Sequence, residues 1–392
     1  MNKHIKSAGS ILLAVAQLFT LAGCWNRREL NTLAIVMGVG IDKAPAKNEI
    51  ELTTQIVKTD KLHPAEGQSA GDQKAYFNLV GTGTDVFTIL RSDTHKVSRK
   101  LYIPYNQVII LGEDLAKEGV QDYLDVFMRD HEARLNVNIL VAQGKANDVL
   151  DFEPDFGKIP ASSITQLLEN KGATSQTAEL ELVDFMKCLT CETTAAVAPM
   201  ISTEGTGKEK RVEVSAGAVL KRGKMVGKLT EKETRGLLWV TDEIKSGLMN
   251  VKVDQIEATI ENIKAKTKVT PILKEDGTIQ IKIRIKQSGT LGSQTGTESL
   301  ATPEKIRQLN QETEQAIEEE IQQSIQKARE LNADIFKFGE LVHQKYPKEW
   351  KTLEPEWDTL FQKIDVEIDV TAQITGIGRL GKPTSPEKEQ DA

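Results

Sequence analysis

Cys24 is the residue best placed for covalent chemistry. It closes the run Leu21-Ala22-Gly23-Cys24, directly behind an uncharged apolar stretch. Lys3 and Lys6 make a positive n-region, and Ser10 to Ala22 (Ile11, Leu12, Leu13, Val15, Leu18, Phe19, Leu21) makes an h-region of signal-peptide length, too short to span a bilayer. The pattern is that of a lipobox. It predicts a diacylglycerol on the Cys24 thiol, a cut between Gly23 and Cys24, and acyl chains that hold the protein at the membrane with ~0.8 kcal/mol per buried CH₂. An ordinary secretory signal, or a core helix with an incidental cysteine, is the competing reading. Arg27 and Arg28 follow without a Gly/Ser spacer before the first strand, which begins near Leu33. That places both within a Debye length of anionic head groups. Pairing with carboxylates of the protein's own first domain is the alternative.

Other reactive residues fall short of a site. Cys188-Leu189-Thr190-Cys191 is a CxxC pair on a helical pattern (Leu180, Val183, Met186, Leu189), with no second pair and no CxxCH, so it reads as two small half-buried side chains. His63, His95, His131 and His343 are scattered, without partners at metal-ligand spacing. Gly38-Val-Gly40 and Gly81-Thr-Gly83 lack the further glycine or Lys-Ser/Thr of a phosphate cradle and read as strand ends. No G-x-S-x-G elbow is present, and the carboxylates from Glu312 to Glu320 suit a solvated helix face better than an acid/base pair. The residues offer no enzyme, no cofactor and no metal centre.

The elements that would carry these residues are those of an exported ectodomain. Apolar residues make up 39% and charged residues 27% of the chain, which is ordinary for a soluble ectodomain. The net charge of −7 becomes −9 once Lys3 and Lys6 leave, which argues against a nucleic-acid partner. The expected fold class is α+β, a three-domain ectodomain with mixed and antiparallel sheets. Its divisions are a signal peptide at 1–23, an N-terminal α+β domain at 24–202, a small middle module at 203–250, a C-terminal α+β domain at 251–378 and a disordered tail at 379–392. The boundary near residue 203 rests on the polar, glycine-rich stretch from Thr203 to Arg211.

Periodicity is clearest in the last third. Ile279, Ile281, Ile283 and Ile285 alternate with Lys282, Arg284 and Lys286, and Asp365, Glu367 and Asp369 alternate with Ile364, Val366 and Ile368. Complementary charged rows predict these two strands as neighbours or near neighbours in an antiparallel sheet. The helix 303–332, capped by Thr302 and opened by Pro303, is expected to cover their apolar faces through Ile306, Leu309, Ile317 and Ile321.

Three blocks resemble a known family. They are Cys24-Trp-Asn-Arg-Arg-Glu-Leu-Asn-Thr-Leu-Ala-Ile-Val-Met-Gly-Val-Gly-Ile-Asp42; Tyr105-Asn-Gln-Val-Ile-Ile-Leu-Gly-Glu113 with Arg129-Asp-His-Glu-Ala-Arg134 and Val141-Ala-Gln-Gly-Lys145; and Ala333-Asp-Ile-Phe-Lys-Phe-Gly-Glu340 with Tyr346-Pro-Lys-Glu-Trp350 and Trp357. Together they are similar to the Ger(x)C spore germination lipoproteins, the C subunits of nutrient germinant receptors, from the lipobox to about Gly378. The resemblance implies residence at the spore inner membrane, membrane-embedded A and B subunits as partners, and no catalytic residues. The Cys188/Cys191 pair is not part of the family pattern. A solute-binding lipoprotein of a transporter is the alternative function, and it would require two lobes of repeated βαβ units around a cleft.

Overall fold

The computed structural model describes residues 32–62, 74–130 and 133–377. Cys24, Arg27, Arg28, the signal segment and the C-terminal tail lie outside the described residues. The architecture is mixed α+β, built on two sheets.

Among the described residues the first sheet has nine strands: β1 (Leu33–Lys43), β2 (Ile50–Val57), β3 (Tyr76–Gly83), β4 (Lys100–Tyr102), β5 (Val108–Leu111), β6 (Asn138–Ala142), β7 (Ala196–Glu204), β8 (Arg211–Lys221) and β9 (Lys224–Leu229). They run in the order β3-β2-β1-β5-β6-β7-β8-β9, with β4 beside β1. The centre, from β1 to β7, is parallel, while β3-β2-β1 and β7-β8-β9 are antiparallel wings. Continuous apolar runs such as Val108-Ile-Ile-Leu111 belong in such a centre, because helices cover both faces. Alternate residues accordingly enter different cores. Ile109 and Leu111 pack with Leu124, Phe127 and Phe185 on one face, and Val108 and Ile110 pack with Leu150, Ile164 and Leu168 on the other.

Gly38 and Gly40 lie inside β1, not at its end as expected. A Cβ at Gly38 would stand 2.9 Å from the Ala161 Cβ, and one at Gly40 would stand 3.1 Å from the Ala146 Cβ. These glycines let the helices Ala146–Leu150 and Pro160–Glu169 press against the strand. At the end of β1, Asp42 accepts from the backbone N–H of Ala146 (2.8 Å) and Asn147 (2.9 Å), capping the first of these helices from across the chain.

The stretch 203–250, expected as a small middle module, contributes β8 and β9 to this first sheet. The polar segment after β7 is a hairpin turn, with Glu204 opposite Arg211 and left-handed backbone at Gly205 and Gly207. The β8–β9 hairpin turns through Arg222 and Gly223, both at positive φ, as a two-residue loop requires. The helix Glu231–Val240 then begins with the expected capping box of Thr230 and Glu233.

The second sheet comprises β10 (Leu248–Val253), β11 (Ile256–Leu273), β12 (Ile279–Gln294) and β13 (Asp365–Gly376), in that order. Ile279, Ile281, Ile283 and Ile285 are buried as expected. β12 and β13 are neighbours, with Lys282 opposite Glu367 and Arg284 opposite Asp369. The first of these pairs forms an ion pair, and the second stands at 3.7 Å.

The expectation of an antiparallel sheet is corrected here: β12 and β13 run parallel, so the sheet is mixed. The physical reason is the connection. A strand that returns only after a long crossover helix re-enters beside its predecessor in the same direction. That crossover is the helix Pro303–Glu330, capped by the Thr302 hydroxyl, which accepts from Lys305 N. It lies on β10, β13 and the helix Glu231–Val240, burying Leu309, Ile317 and Ile321, with Ile306 only half-buried.

Candidate functional site

Buried polar side chains reinforce the apolar core that the two sheets share. Arg235 donates Nε to Glu320 Oε2 at 2.8 Å, pairs its Nη2 with Oε1, and donates Nη1 to the Leu248 carbonyl at 3.0 Å. Trp239 Nε1 donates to the same carboxylate at 3.1 Å. Glu320 sits on the long helix and Arg235 on the preceding short one, and Gly236 lets the two touch, since a Cβ there would stand 2.2 Å from the Glu320 carbonyl oxygen. A second tie runs from β8, where Lys221 Nζ donates to the Asn332 carbonyl (2.5 Å) and to Asp358 (2.8 Å).

Asp334 organises the segment after the long helix. Its carboxylate accepts from the N–H groups of Phe336 (3.2 Å), Phe338 (3.1 Å) and Gly339 (2.8 Å) and from Trp357 Nε1 (3.2 Å). It thereby caps the helix Phe338–Lys345, which starts later than the expected Ile335, after left-handed backbone at Lys337. Ala195 N also donates to the Asp334 carbonyl at 2.9 Å, fastening this segment to the start of β7. Burial pushes the Asp334 carboxyl up to about 6, against the four donors that favour its charged form.

Cys188 and Cys191 are free thiols on and just after the helix Leu182–Thr190, both half-buried. Burial raises Cys188 to about 11. Burial also acts against the Cys191 thiolate, yet hydrogen bonds with Thr193 and Thr194 outweigh it and lower that thiol. Its Sγ lies 3.3 Å from Thr193 Oγ1. Among the described residues no cluster of His, Cys, Asp and Glu is placed to hold a metal ion, and no helix is long and apolar enough to cross a membrane.

Two neighbouring cavities lie beside the junction. One is lined by Asn106, Gln107, Asn138, Glu169 and Lys245, and its neighbour, sharing Lys171, Glu179 and Lys245, by Ser175 and Asp242. None of these residues stood out in the sequence as site candidates. The only signal was Tyr105-Asn-Gln immediately before an apolar strand, within a block cited for the family likeness. The anchor candidates Cys24, Arg27 and Arg28 cannot be related to this geometry, being outside the described residues.

Comparison with known proteins supplies the family. The model for the spore germination protein N-terminal domain matches residues 26–203, and that for the "Spore germination B3/ GerAC like, C-terminal" region matches 215–378. Spore germination protein KC of Bacillus subtilis (strain 168) is 27% identical over 97% of this chain and 98% of its own length. Spore germination protein B3 of the same organism is 25% identical over 96% of this chain and 100% of its own. The crystal structure of the GerBC protein shares the fold, with a TM-score of 0.57 at 21% identity over 86% of this chain and 97% of that one. Among the described residues, one nine-stranded and one four-stranded sheet are not the two matching lobes that a transporter's solute-binding protein would require. With matches on both sides of the β7–β8 hairpin, covering both sheets, the chain belongs to the GerAC-like, or Ger(x)C, family of spore germination proteins.

Proposed function

We propose that this chain is the lipid-anchored C subunit of a nutrient germinant receptor, held by Cys24 on the extracytoplasmic face of the spore inner membrane. It acts there with membrane-embedded A and B subunits, in assembly of the receptor or in transmission of its signal. The observation that carries this reading is the lipobox cysteine standing two residues before a germination-family match that begins at residue 26. Membrane association through lipid is consistent with the absence, among the described residues, of a helix able to span a bilayer.

The three-part division of the ectodomain at 24–202, 203–250 and 251–378 belongs to the same proposal. The middle piece would act as the coupling between sheets, since it donates β8, β9 and the Arg235 and Trp239 contacts to Glu320. Arg27 and Arg28, next to the anchor, would lie against anionic head groups.

Metabolic labelling with a radioactive fatty acid tests the anchor. Wild-type protein should carry the label and sediment with membranes, and Cys24→Ala should lose both properties or accumulate as uncut precursor. Label that persists on Cys24→Ala would refute the anchor. Liposome binding of the lipidated protein should also weaken in the Arg27→Gln, Arg28→Gln double variant. Unchanged binding with a lowered melting temperature would assign the two arginines to intramolecular pairs instead.

A further inference from the structure

Where the chain enters β5 and β6, the surface opens into a cavity of about 460 Å³. Asn106 and Gln107 line it from the entry to β5, and Asn136 and Asn138 from the entry to β6. Asn106 is only 5% exposed, and neither its side-chain nitrogen nor its oxygen has a hydrogen-bond partner among the described residues. The Gln107 Oε1 is buried and unpartnered as well. The main chain fixes this corner without them: Asn106 N donates to the Ile103 carbonyl (2.8 Å), Gln107 N to that of Met37 (2.9 Å), and Asn138 N to that of Gln107 (3.1 Å). Buried amides that do no structural work are destabilising unless something else pairs with them.

The charged groups of the cavity narrow what that something is. Arg134 and Lys245 stand on one side of the balance and Glu169 and Glu181 on the other, and none of the four is in an ion pair among the described residues. Lys171 and Glu179 satisfy each other. A ligand with net charge would meet as many like charges as opposite ones, whereas a molecule bearing both signs finds a partner for each. The Arg134 guanidinium lies over the Tyr105 ring, 5.5 Å from its centroid. The main chain of Lys245 is held by Ser175 Oγ, which accepts from its N–H at 3.1 Å, and by Asn262 Nδ2, which donates to its carbonyl at 2.7 Å. Lys245 belongs to the second family match and the other lining residues to the first, so the cavity lies between the two regions, where ligand sites commonly form.

We propose that this amide-lined cavity binds a small zwitterion, its carboxylate met by Arg134 and Lys245, its ammonium by Glu169 and Glu181, and its polar body by the amides of Asn106 and Gln107. The site depends neither on the lipid anchor nor on other subunits. It therefore stands or falls separately from the receptor role.

Titration calorimetry on the full chain in detergent tests it, with L-glutamine as the zwitterionic probe, acetate as the anionic probe and glycerol as the neutral one. L-glutamine should give saturable heat below about 10 mM, and acetate and glycerol none. Asn106→Leu, an amide exchanged for an apolar side chain of the same branching, should lower affinity about tenfold or more while the melting temperature holds or rises. Glu169→Gln, at the exposed rim, should weaken L-glutamine binding without changing stability. Absence of saturable heat, equal heat from glycerol, or unchanged affinity in Asn106→Leu would overturn the proposal. A lower melting temperature of Asn106→Leu with unaltered titrations would show that solvent satisfies the amide as part of the fold.

Discussion

Removing the charge at Asp334 tests how a single buried carboxyl links pH to the stability of the second half of the molecule. Burial raises this carboxyl from 3.8 to about 6, although four N–H donors surround it. The folded state therefore binds the proton more tightly than the unfolded chain. The contribution is fully present below about pH 4, declines as pH rises, and is gone above about pH 6. A shift of about two units corresponds to roughly 3 kcal/mol, with a steepest slope of about 1.4 kcal/mol per pH unit. Asp334→Asn keeps an acceptor for part of the Phe336, Phe338, Gly339 and Trp357 set but cannot titrate. It should lose roughly 1–3 kcal/mol for the donors left unpaired. Urea unfolding of both proteins at pH 4, 5, 6 and 7 gives the relevant quantity, the difference between them, from which the other carboxylates cancel. Wild type should lead by most at pH 4, and its lead should shrink by roughly 3 kcal/mol by pH 7, where Asp334→Asn becomes as stable as wild type or more so. A constant difference, or one that grows with pH, would mean that the four donors outweigh burial and that Asp334 is ionised throughout.

Further expectations concern the core, the junction and the thiols. Gly236→Ala should destabilise by roughly 2–4 kcal/mol in urea titrations, because its Cβ would stand 2.2 Å from the Glu320 carbonyl oxygen and neither helix can yield without disturbing the Arg235 pair. Ile283→Asp should abolish the folded near-ultraviolet circular dichroism signal by placing an unpaired carboxylate at a fully buried position in β12. At pH 8, iodoacetamide followed by peptide mapping should alkylate Cys191 well before Cys188, since one thiol is lowered and the other raised to about 11. Equal rates would contradict the opposed environments.

Much of the second sheet is legible in the sequence because strand period and burial coincide. Ile279 to Ile285 alternate without a break, and the complementary charges on β12 and β13 bring those strands together as expected. Their relative direction is not legible, for a row of cations faces a row of anions equally well in parallel and antiparallel ladders. The connection decides it, and the long helix makes it parallel. The segment 203–211 is ambiguous for a different reason: glycines with polar neighbours mark an interdomain linker and a hairpin turn alike, and here β7 pairs with β8 across it. β3 escapes notice because Tyr76-Phe-Asn-Leu-Val-Gly-Thr-Gly83 shows no clean alternation and ends in glycines, one of which admits Ile89 at 2.5 Å from where a Cβ would be. The anchor proposed at Cys24 rests on local sequence alone, since signal peptides act as sequence rather than as folded structure. The unpartnered amides of Asn106 and Gln107 are not, because a lone polar residue before a strand has no pattern until the fold buries it.

The central claim, a lipid-tethered subunit that works with membrane-embedded partners, is tested most directly by affinity purification from detergent-solubilised spore membranes, with co-purifying proteins identified by mass spectrometry. Wild-type protein should bring down two multi-span membrane proteins, and Cys24→Ala should be missing from the membrane fraction and bring down neither. Recovery of the wild-type protein alone, or together with a permease and its ATPase, would contradict the account.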